Sequence, residues 1–403
     1  MITPITHTHS QIPSNTFNLS LLNAVLRNST AAVVSALENG ANPNTADKDG
    51  VTCLMWAALK GYAECVMHLL AAGADVETVD GDKWSCLMYA ADKGQTACVK
   101  LLLAAGANEH TSDYDKECSL MRAARNGHAA CVRLLLAAGA DANAADINGV
   151  NSLMFAAAKG QADCLKLLLG AGADPNAVDI NGKNSLVWAV EHGRTKCAKM
   201  LLHHGVNPNT GIGCAAAQGR VSIIKLLLGA GADPSKGLAH TARKATVTLL
   251  LEHGADPSKG LCSALAFSHK ANVRLLLDNG ATPNVGLAAA AAEGRVTDIQ
   301  TLLEFGAEPS EGLAAAAAAG CYAAVDMLLG LGAIANRGIA AAAYHGQKAI
   351  VNLLLWNGAT PNEGMSAAVA AGHSDIVRIL LNSGAAARLG FEDASEQNII
   401  SEA

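Results

Sequence analysis

The feature that most constrains this chain of 403 residues is a Gly-Ala pair that follows an apolar run again and again. The spacing is 33 residues in the first part of the chain and 26 in the second, apart from 23 between Gly231 and Gly254. A fixed period of this length predicts a repeat architecture, in which each unit buries its apolar face against its neighbours. The thirteen glycines of the series are Gly40, Gly73, Gly106, Gly139, Gly172, Gly205, Gly231, Gly254, Gly280, Gly306, Gly332, Gly358 and Gly384.

Each unit is predicted to contain two short helices. In residues 53–75 the first helix is expected to end at Gly61, where glycine permits a left-handed backbone. The second helix carries Leu69 and Leu70 in an apolar pattern with helical spacing and ends at Gly73. Eight of the ten prolines lie three residues after a glycine of the series, at a position through which a helix does not continue.

The segments that open the first five full-length units carry a common motif. They read TCLMWAA (52–58), SCLMYAA (85–91), CSLMRAA (118–124), NSLMFAA (151–157) and NSLVWAV (184–190). With endings such as GADPNAVD, they resemble the Thr-Pro-Leu-His-x-Ala signature of the ankyrin-repeat family, with Met or Val at the His position and Cys or Ser at the Pro position. The resemblance extends from about residue 18 to residue 388. It implies an all-α repeat solenoid of helix-turn-helix units, joined by β-hairpin fingers.

The fingers are predicted only in the N-terminal half. Their segments are DKDGVT (47–52), DGDKWS (80–85), DYDKEC (113–118), DINGVN (146–151) and DINGKN (179–184). About seven residues are missing at this place in the later units, where a single glycine is expected to make the turn into the first helix. These glycines are Gly237, Gly260, Gly286, Gly312, Gly338 and Gly364. The shortest unit, 232–254, is expected to be irregular.

Four regions follow from this pattern. We expect a flexible N-terminal tail (1–17), regular ankyrin repeats with fingers (18–209), shortened repeats without fingers (210–388) and a C-terminal capping helix or tail (389–403). Terminal repeats need such a polar cap, because one of their faces has no neighbour.

Composition restricts the functional classes. The net charge of −6 argues against nucleic-acid binding, which needs a basic footprint. The start of the chain lacks the pattern of a secretory signal, and no apolar run is long enough to insert into a membrane. No catalytic constellation, cofactor motif or metal-ligand spacing stands out, so we predict a monomeric protein without enzymatic activity, cofactor or metal.

A column of cysteines also recurs every 33 residues. Its members are Cys65, Cys98, Cys131, Cys164 and Cys197. Stacked helices lie about 8–10 Å apart, which is too far for neighbouring cysteines to form a disulfide. We interpret them as small buried apolar residues, and free buried thiols are typical of a reducing compartment such as the cytoplasm.

Two further columns on the first helices are candidates for binding a partner. The first is aromatic except at one position, and the second, four residues later, is largely basic. The first consists of Trp56, Tyr89, Arg122, Phe155 and Trp188, and the basic members of the second are Lys60, Lys93 and Lys159. Both columns end where the fingers end. Trp84 and Tyr114 in the fingers are expected to extend the same surface.

Two interpretations of the aromatic column remain open. The aromatic side chains either fill space between neighbouring first helices or form a concave groove, as the family resemblance implies. A groove of aromatic and basic residues predicts a protein or peptide partner with apolar and some acidic character. The expected function is therefore a protein–protein interaction module or scaffold.

Two other functions are compatible with the sequence. One is a structural elastic solenoid that only spaces other components. The other is a host-directed bacterial effector or inhibitor that acts through ankyrin binding and is translocated into a host cell. The acidic C-terminal residues Glu392, Asp393, Glu396 and Glu402 would fit a secretion signal for such translocation.

Overall fold

A computed structural model describes residues 14–267 and 269–385, which form 26 helices in thirteen consecutive pairs. The helices are α1 (Ser14–Leu26), α2 (Thr30–Glu38), α3 (Cys53–Lys60), α4 (Ala63–Ala71), α5 (Cys86–Asp92), α6 (Thr96–Ala104), α7 (Ser119–Asn126), α8 (Ala129–Ala138), α9 (Ser152–Lys159), α10 (Ala162–Gly170), α11 (Ser185–Glu191), α12 (Thr195–His203), α13 (Asn209–Gln218), α14 (Val221–Gly229), α15 (Ser235–Leu238), α16 (Lys244–Glu252), α17 (Ser258–Ala266), α18 (Lys270–Asp278), α19 (Pro283–Ala292), α20 (Val296–Glu304), α21 (Pro309–Ala319), α22 (Tyr322–Gly330), α23 (Asn336–Tyr344), α24 (Lys348–Trp356), α25 (Asn362–Ala370) and α26 (Ser374–Asn382). The fold is an all-α repeat solenoid, as predicted.

The chain divides into two compact units, Met1–Gly211 and Ile212–Ala403, and α13 spans the division. In the N-terminal unit the first helix of each pair packs against the first helices of the neighbouring pairs, and the second helices pack likewise. Two layers result, the first-helix layer (α1, α3, α5, α7, α9, α11) and the second-helix layer (α2, α4, α6, α8, α10, α12). The core lies between them and is filled by recurrent side chains such as Leu54 and Met55 from α3 and Leu69 from α4, all of which are buried.

Five fingers precede the first helices α3, α5, α7, α9 and α11. Each is a tight hairpin closed by a single antiparallel β-bridge. Within the described residues, no β-strand longer than such a bridge forms. The bridges join Ala46 to Thr52, Val79 to Ser85, Ser112 to Cys118, Ala145 to Asn151 and Val178 to Asn184. Three of the four pairs of neighbouring fingers are joined by a backbone hydrogen bond, for example from Ile180 N–H to the Asn148 carbonyl at 3.0 Å. The second and third fingers meet through side chains, with the Lys83 ammonium 4.7 Å from the Tyr114 ring centroid.

The last residue of a finger also starts the following helix. The Thr52 side chain accepts a hydrogen bond from the backbone N–H of Met55, and the Thr52 N–H donates to Met55 Sδ at 3.4 Å. Ser85 and Met88 repeat this arrangement. Methionine thus supplies a weak acceptor at the position where the family has His, and the reciprocal cap of the helix is retained.

The first helices of the C-terminal unit are organised differently, and one prediction about them is wrong. The glycines expected to make the turn lie inside helices, and none has a positive φ. Their role is close packing: a Cβ added at Gly286 would lie 2.4 Å from Leu265 Cδ1, and one at Gly312 would lie 3.0 Å from Leu287 Cγ. Without a finger, the helix extends toward the preceding proline, so α19 and α21 begin at Pro283 and Pro309.

The predicted irregularity in residues 232–254 is confirmed. The first helix of this unit, α15, has only four residues, and a turn separates it from α16. At the N-terminus, α1 begins at Ser14, inside the segment 1–17 that was expected to be a flexible tail. The predicted C-terminal capping helix (389–403) lies outside the described residues.

The cysteine column is buried, as predicted. Cys65, Cys98, Cys131, Cys164 and Cys197 are at most 1% exposed, and all eleven cysteines of the chain are free. Burial raises the pKa of the Cys98 and Cys164 thiols to about 11, so both remain protonated at neutral pH. Within the described ranges, no helix has the length and apolar character needed to cross a membrane.

Candidate functional site

Every finger begins with an aspartate that organises the hairpin. One carboxylate oxygen accepts hydrogen bonds from the backbone N–H groups two and four residues later; for Asp47 the donors are Asp49 and Val51, both at 3.0 Å. The same pair of bonds recurs at Asp80, Asp113, Asp146 and Asp179. The finger backbone is thereby fixed by its own first side chain.

The second carboxylate oxygen explains most of the aromatic column. Trp56 Nε1 donates to Asp47 Oδ2 at 2.9 Å, and Trp188 Nε1 donates to Asp179 Oδ2 at 3.1 Å. The Tyr89 hydroxyl donates to Asp80 Oδ2 at 2.5 Å. Each column residue lies nine residues after its aspartate and joins the first helix to the finger of the same repeat. These half-buried aromatics are therefore structural braces whose side chains remain partly exposed.

Arg122 replaces the aromatic residue in the third of these repeats. It is 8% exposed and forms ion pairs with Asp113 at 2.5 Å and Glu117 at 2.9 Å. Its guanidinium lies 3.5 Å from the ring centroid of Trp84, a residue of the preceding finger, and Trp84 in turn lies 5.0 Å from Tyr89. Three candidate residues from two repeats thus form one cluster.

Phe155 is the exception in the column because it has no polar atom to donate to Asp146. Its ring is covered instead by the guanidinium of Arg125, whose carbon lies 4.1 Å from the ring centroid. Arg125 also forms an ion pair with Glu117 of the preceding finger. The fourth repeat therefore retains its aromatic residue but lacks the brace between the column and the finger.

The basic candidates are all exposed, at the C-terminal ends of first helices. The Lys60 ammonium lies 6.0 Å from the Trp56 ring centroid, and Lys93 forms an ion pair of 2.9 Å with Asp92. Lys159 makes no ion pair or ring contact with the residues that the structure describes. Across the repeats that contain α3, α5 and α9, the surface therefore changes from the finger through the half-buried column residue to an exposed lysine.

Exposed apolar side chains occupy the tips of three consecutive fingers. Tyr114 is 64% exposed, Ile147 53% and Ile180 71%, each at the second position of its finger. We call these three residues the tip row. Tyr114 was predicted as a candidate, but Ile147 and Ile180 were missed. Their signal in the sequence was a large apolar residue within a tight turn, Asp-Ile-Asn-Gly, where burial is not expected.

The pKa shifts at the site reflect the braces. Burial raises the Tyr89 pKa, and the hydrogen bond to Asp80 raises it further. At Asp47, desolvation alone would raise the pKa. The hydrogen bonds from Trp56, Val51 and Asp49 outweigh this effect and leave the pKa below its ordinary value. Both shifts favour the state in which the column residue donates to an ionised aspartate.

A family model for ankyrin repeats in three copies matches residues 21–115 and 120–211, which contain all five fingers and both columns. These segments are ankyrin repeats. Both lie in the N-terminal unit of the chain. Among solved structures, the ankyrin-repeat domain of human ASB11 is 28% identical, with 50% of this chain and 97% of that chain covered and a TM-score of 0.47. A search of curated proteins finds no match.

Ankyrin repeats are in general protein–protein interaction modules and are typically not enzymes. Within the described residues, no group of three or more His, Cys, Asp and Glu side chains is arranged to hold a metal ion. His128 and His373 each join their repeat to the preceding one. Their Nε2 atoms lie 2.9 and 3.0 Å from the carbonyls of Asp92 and Tyr344, at the end of the preceding first helix.

Proposed function

We propose that this ankyrin-repeat chain binds a partner protein along the finger side of its N-terminal unit. The observation that carries the proposal is the tip row, Tyr114, Ile147 and Ile180, whose large apolar side chains are more than half exposed. Consecutive exposed apolar residues at equivalent positions are typical of interaction surfaces.

The rigidity of the fingers supports binding. An aspartate fixes each finger from within, and a brace from Trp56, Tyr89, Arg122 or Trp188 fixes four of the five from the helix side. A surface that is already ordered loses less conformational entropy on association. The braces use the polar atoms of the column, so a partner would contact this column through exposed ring faces.

The charges next to the tip row indicate the chemistry of the partner. Lys83 and Lys116 are exposed on two of the fingers, and Lys159 ends α9, the helix that follows the Ile147 finger. Lys60 and Lys93 lie at the C-terminal ends of α3 and α5, in the two repeats that precede the tip row. The Lys83 ammonium lies 4.7 Å from the Tyr114 ring centroid, which places a cation beside the apolar row. We therefore propose a partner segment with an apolar stretch flanked by acidic residues.

A triple variant of the full chain, Tyr114→Ser, Ile147→Ser and Ile180→Ser, tests the proposal. Wild-type and variant chains are used for affinity capture with quantitative mass spectrometry. A matched control variant carries Val285→Ser, Leu331→Ser and Ile334→Ser, which are also exposed apolar positions but lie in the C-terminal unit. We expect a specific protein that is retained by the control and lost from the tip-row variant. Because all six side chains are exposed, both variants should melt close to the wild type.

Equal retention by both variants would contradict the proposal and favour the spacer function. Alanine at Trp56, Tyr89 and Trp188 would be a less selective test, because all three residues brace fingers. We expect that triple variant to lose stability as well as binding.

The cysteines support a proposal about the compartment. Eight of the eleven are buried, and all are free. Burial raises the pKa of Cys53 and Cys86 to about 12, which keeps these thiols protonated. We propose a reducing compartment such as the cytoplasm, which an assay of thiol oxidation in the source cell would test.

A further inference from the structure

A second surface lies on the opposite layer of the N-terminal unit. Four consecutive second helices, α6, α8, α10 and α12, carry a basic residue at the same position, and each of these side chains is exposed. We call this set the basic row; its members are Lys100, Arg133, Lys166 and Lys199. The fingers and the two candidate columns belong to the first-helix layer, so the basic row is separate from the proposed finger-side surface.

The charge of this face differs from that of the whole protein. On the exposed sides of α6 to α12, the basic row and Lys196 are opposed by one acidic residue, Asp163, whereas the chain carries a net charge of −6. Within the described part of the chain, no member of the basic row forms an ion pair, although Asp163 lies one turn before Lys166. Asp163 is therefore the one carboxylate on these exposed helix sides that offsets the charge of the basic row.

The repeat fold itself does not require this row. At the equivalent positions in the C-terminal unit the residues are mixed, and they include a threonine, a glutamine, an aspartate and an asparagine. They are Lys225, Thr248, Arg274, Gln300, Asp326, Asn352 and Arg378. Lys225 continues the basic series once, and beyond it basic residues occur at this position only at Arg274 and Arg378.

A groove crosses the centre of the row between α8 and α10, with a volume of about 710 Å³. Arg133, Asp163 and Lys166 stand at its polar edges, and Leu136 and Leu167 supply half-buried apolar surface. Its other lining residues are small: Ala129, Ala137, Gly170 and Ala171. Small side chains leave space for an inserted side chain, so the surface combines charge with an apolar pocket.

We propose that this surface binds an acidic polypeptide segment that runs across α6 to α12 and inserts one apolar side chain into the groove. Second helices of adjacent repeats lie about 10 Å apart, and an extended chain advances about 3.3 Å per residue. An acidic residue at every third position therefore matches the basic row. The apolar groove and Asp163 at its edge favour a peptide over a phosphate backbone or a lipid surface.

The test measures fluorescence anisotropy of a labelled peptide with the full chain. The probe has the sequence Glu-Ser-Ser-Glu-Ser-Leu-Glu-Ser-Ser-Glu-Ser-Ser, and a second probe has its four Glu residues in one block. In low salt we expect the charge-reversal variant Arg133→Glu with Lys166→Glu to bind the first probe at least about tenfold more weakly. The matched control, Lys244→Glu with Lys270→Glu in the C-terminal unit, should bind within about twofold of the wild type.

A groove-filling variant separates the pocket from the charges. A side chain at Gly170 would meet open space, so Gly170→Phe should fold normally and occupy the groove while the basic row is unchanged. We expect this variant to bind the leucine probe no better than a probe with serine in place of leucine. This result would show that the apolar pocket contributes to binding.

Three outcomes would overturn the proposal: equal affinity for the spaced and blocked probes, equal losses in the two charge-reversal variants, or tighter binding of a 20-base-pair DNA duplex or phosphatidylserine vesicles than of the spaced peptide. The tip-row variant should bind the spaced probe like the wild type. Failure of the finger-side proposal is therefore distinguishable from failure of this one.

Discussion

The two units of this chain use the same pair of helices but stabilise their first-helix layers in different ways. In the N-terminal unit a finger precedes each of α3, α5, α7, α9 and α11, and in four of these five repeats a large residue of the helix braces the aspartate of the finger. In the described part of the C-terminal unit no finger forms, and alanine occupies four of the seven column positions, Ala289, Ala315, Ala341 and Ala367. Glycine lets neighbouring helices approach to a distance that a Cβ atom would obstruct.

This comparison explains why the aromatic column and the fingers end together. A tryptophan or tyrosine at the column position stabilises the repeat where a finger aspartate accepts its hydrogen bond. Without the finger, the same side chain would lack a polar partner and would hold the helices apart. A correlation in the sequence thus reflects a hydrogen bond between residues nine positions apart, as in Trp188 and Asp179.

The largest effect is expected where the finger brace is a buried ion pair. Asp113→Ala removes the acceptor of two backbone N–H groups and leaves Arg122, which is 8% exposed, with Glu117 as its remaining carboxylate. We expect a loss of about 4 kcal/mol in the free energy of unfolding, because the buried Arg122–Asp113 ion pair is lost together with the two backbone hydrogen bonds of the finger. Urea unfolding followed by tryptophan fluorescence measures the loss.

The matched control is Asp146→Ala, since Phe155 donates no hydrogen bond to that aspartate. This variant loses the same two backbone bonds, Asn148 and Val150 to Asp146, and no ion pair. We expect a loss of about 2 kcal/mol. Equal losses in Asp113→Ala and Asp146→Ala would show that the brace between helix and finger contributes little.

The next effect tests close packing in the C-terminal unit. In Gly286→Val the added Cβ would lie 2.4 Å from Leu265 Cδ1 and 3.2 Å from Leu261 Cδ2. We expect a destabilisation of about 3 kcal/mol from overpacking. The equivalent position in the N-terminal unit is Cys86, which is already a buried side chain, so Cys86→Val should cost less than about 1.5 kcal/mol. Thermal unfolding of both variants measures the two losses of stability. Similar losses in Gly286→Val and Cys86→Val would contradict the proposed difference in packing between the two units.

The smallest effect is expected from Trp56→Phe, which keeps the ring but removes the hydrogen bond to Asp47. We expect a loss of about 1 kcal/mol at pH 7 and a rise in the Asp47 pKa toward its ordinary value. Because folding lowers the pKa of Asp47 below its ordinary value of 3.8, ionised Asp47 stabilises the folded state fully at pH values above 3.8. This stabilisation is lost as the pH falls below 3.8. The difference between wild type and variant should therefore shrink at pH 3.

Carboxyl NMR titration reports the Asp47 pKa directly. Trp84→Phe is the control, since Trp84 lies in the next finger and makes no hydrogen bond to Asp47. An unchanged Asp47 pKa in Trp56→Phe would mean that the backbone donors Asp49 and Val51 alone set its value.

Most residues of the candidate site could be predicted from the sequence, but the structure gives the column residues a different role, as braces of the fingers. The sequence identified the column containing Trp56 and Trp188, and it identified Trp84 and Tyr114 in the fingers. It did not identify the aspartates as the partners of the column, although Asp47 and its equivalents recur with the same period. The tip residues Ile147 and Ile180 were missed because exposure was not visible in a pattern of residue types.

The sequence by itself determined the repeat, the helix pairs, the positions of the fingers and the buried cysteine column. These features depend on local rules, such as helical spacing, the left-handed backbone at Gly61 and capping by Thr52, that act within a few residues. The tertiary structure decided what the repeated side chains do. Whether Trp56 braces a finger, Gly286 admits a neighbouring helix or Arg133 borders a groove depends on which atoms meet across turns and between repeats.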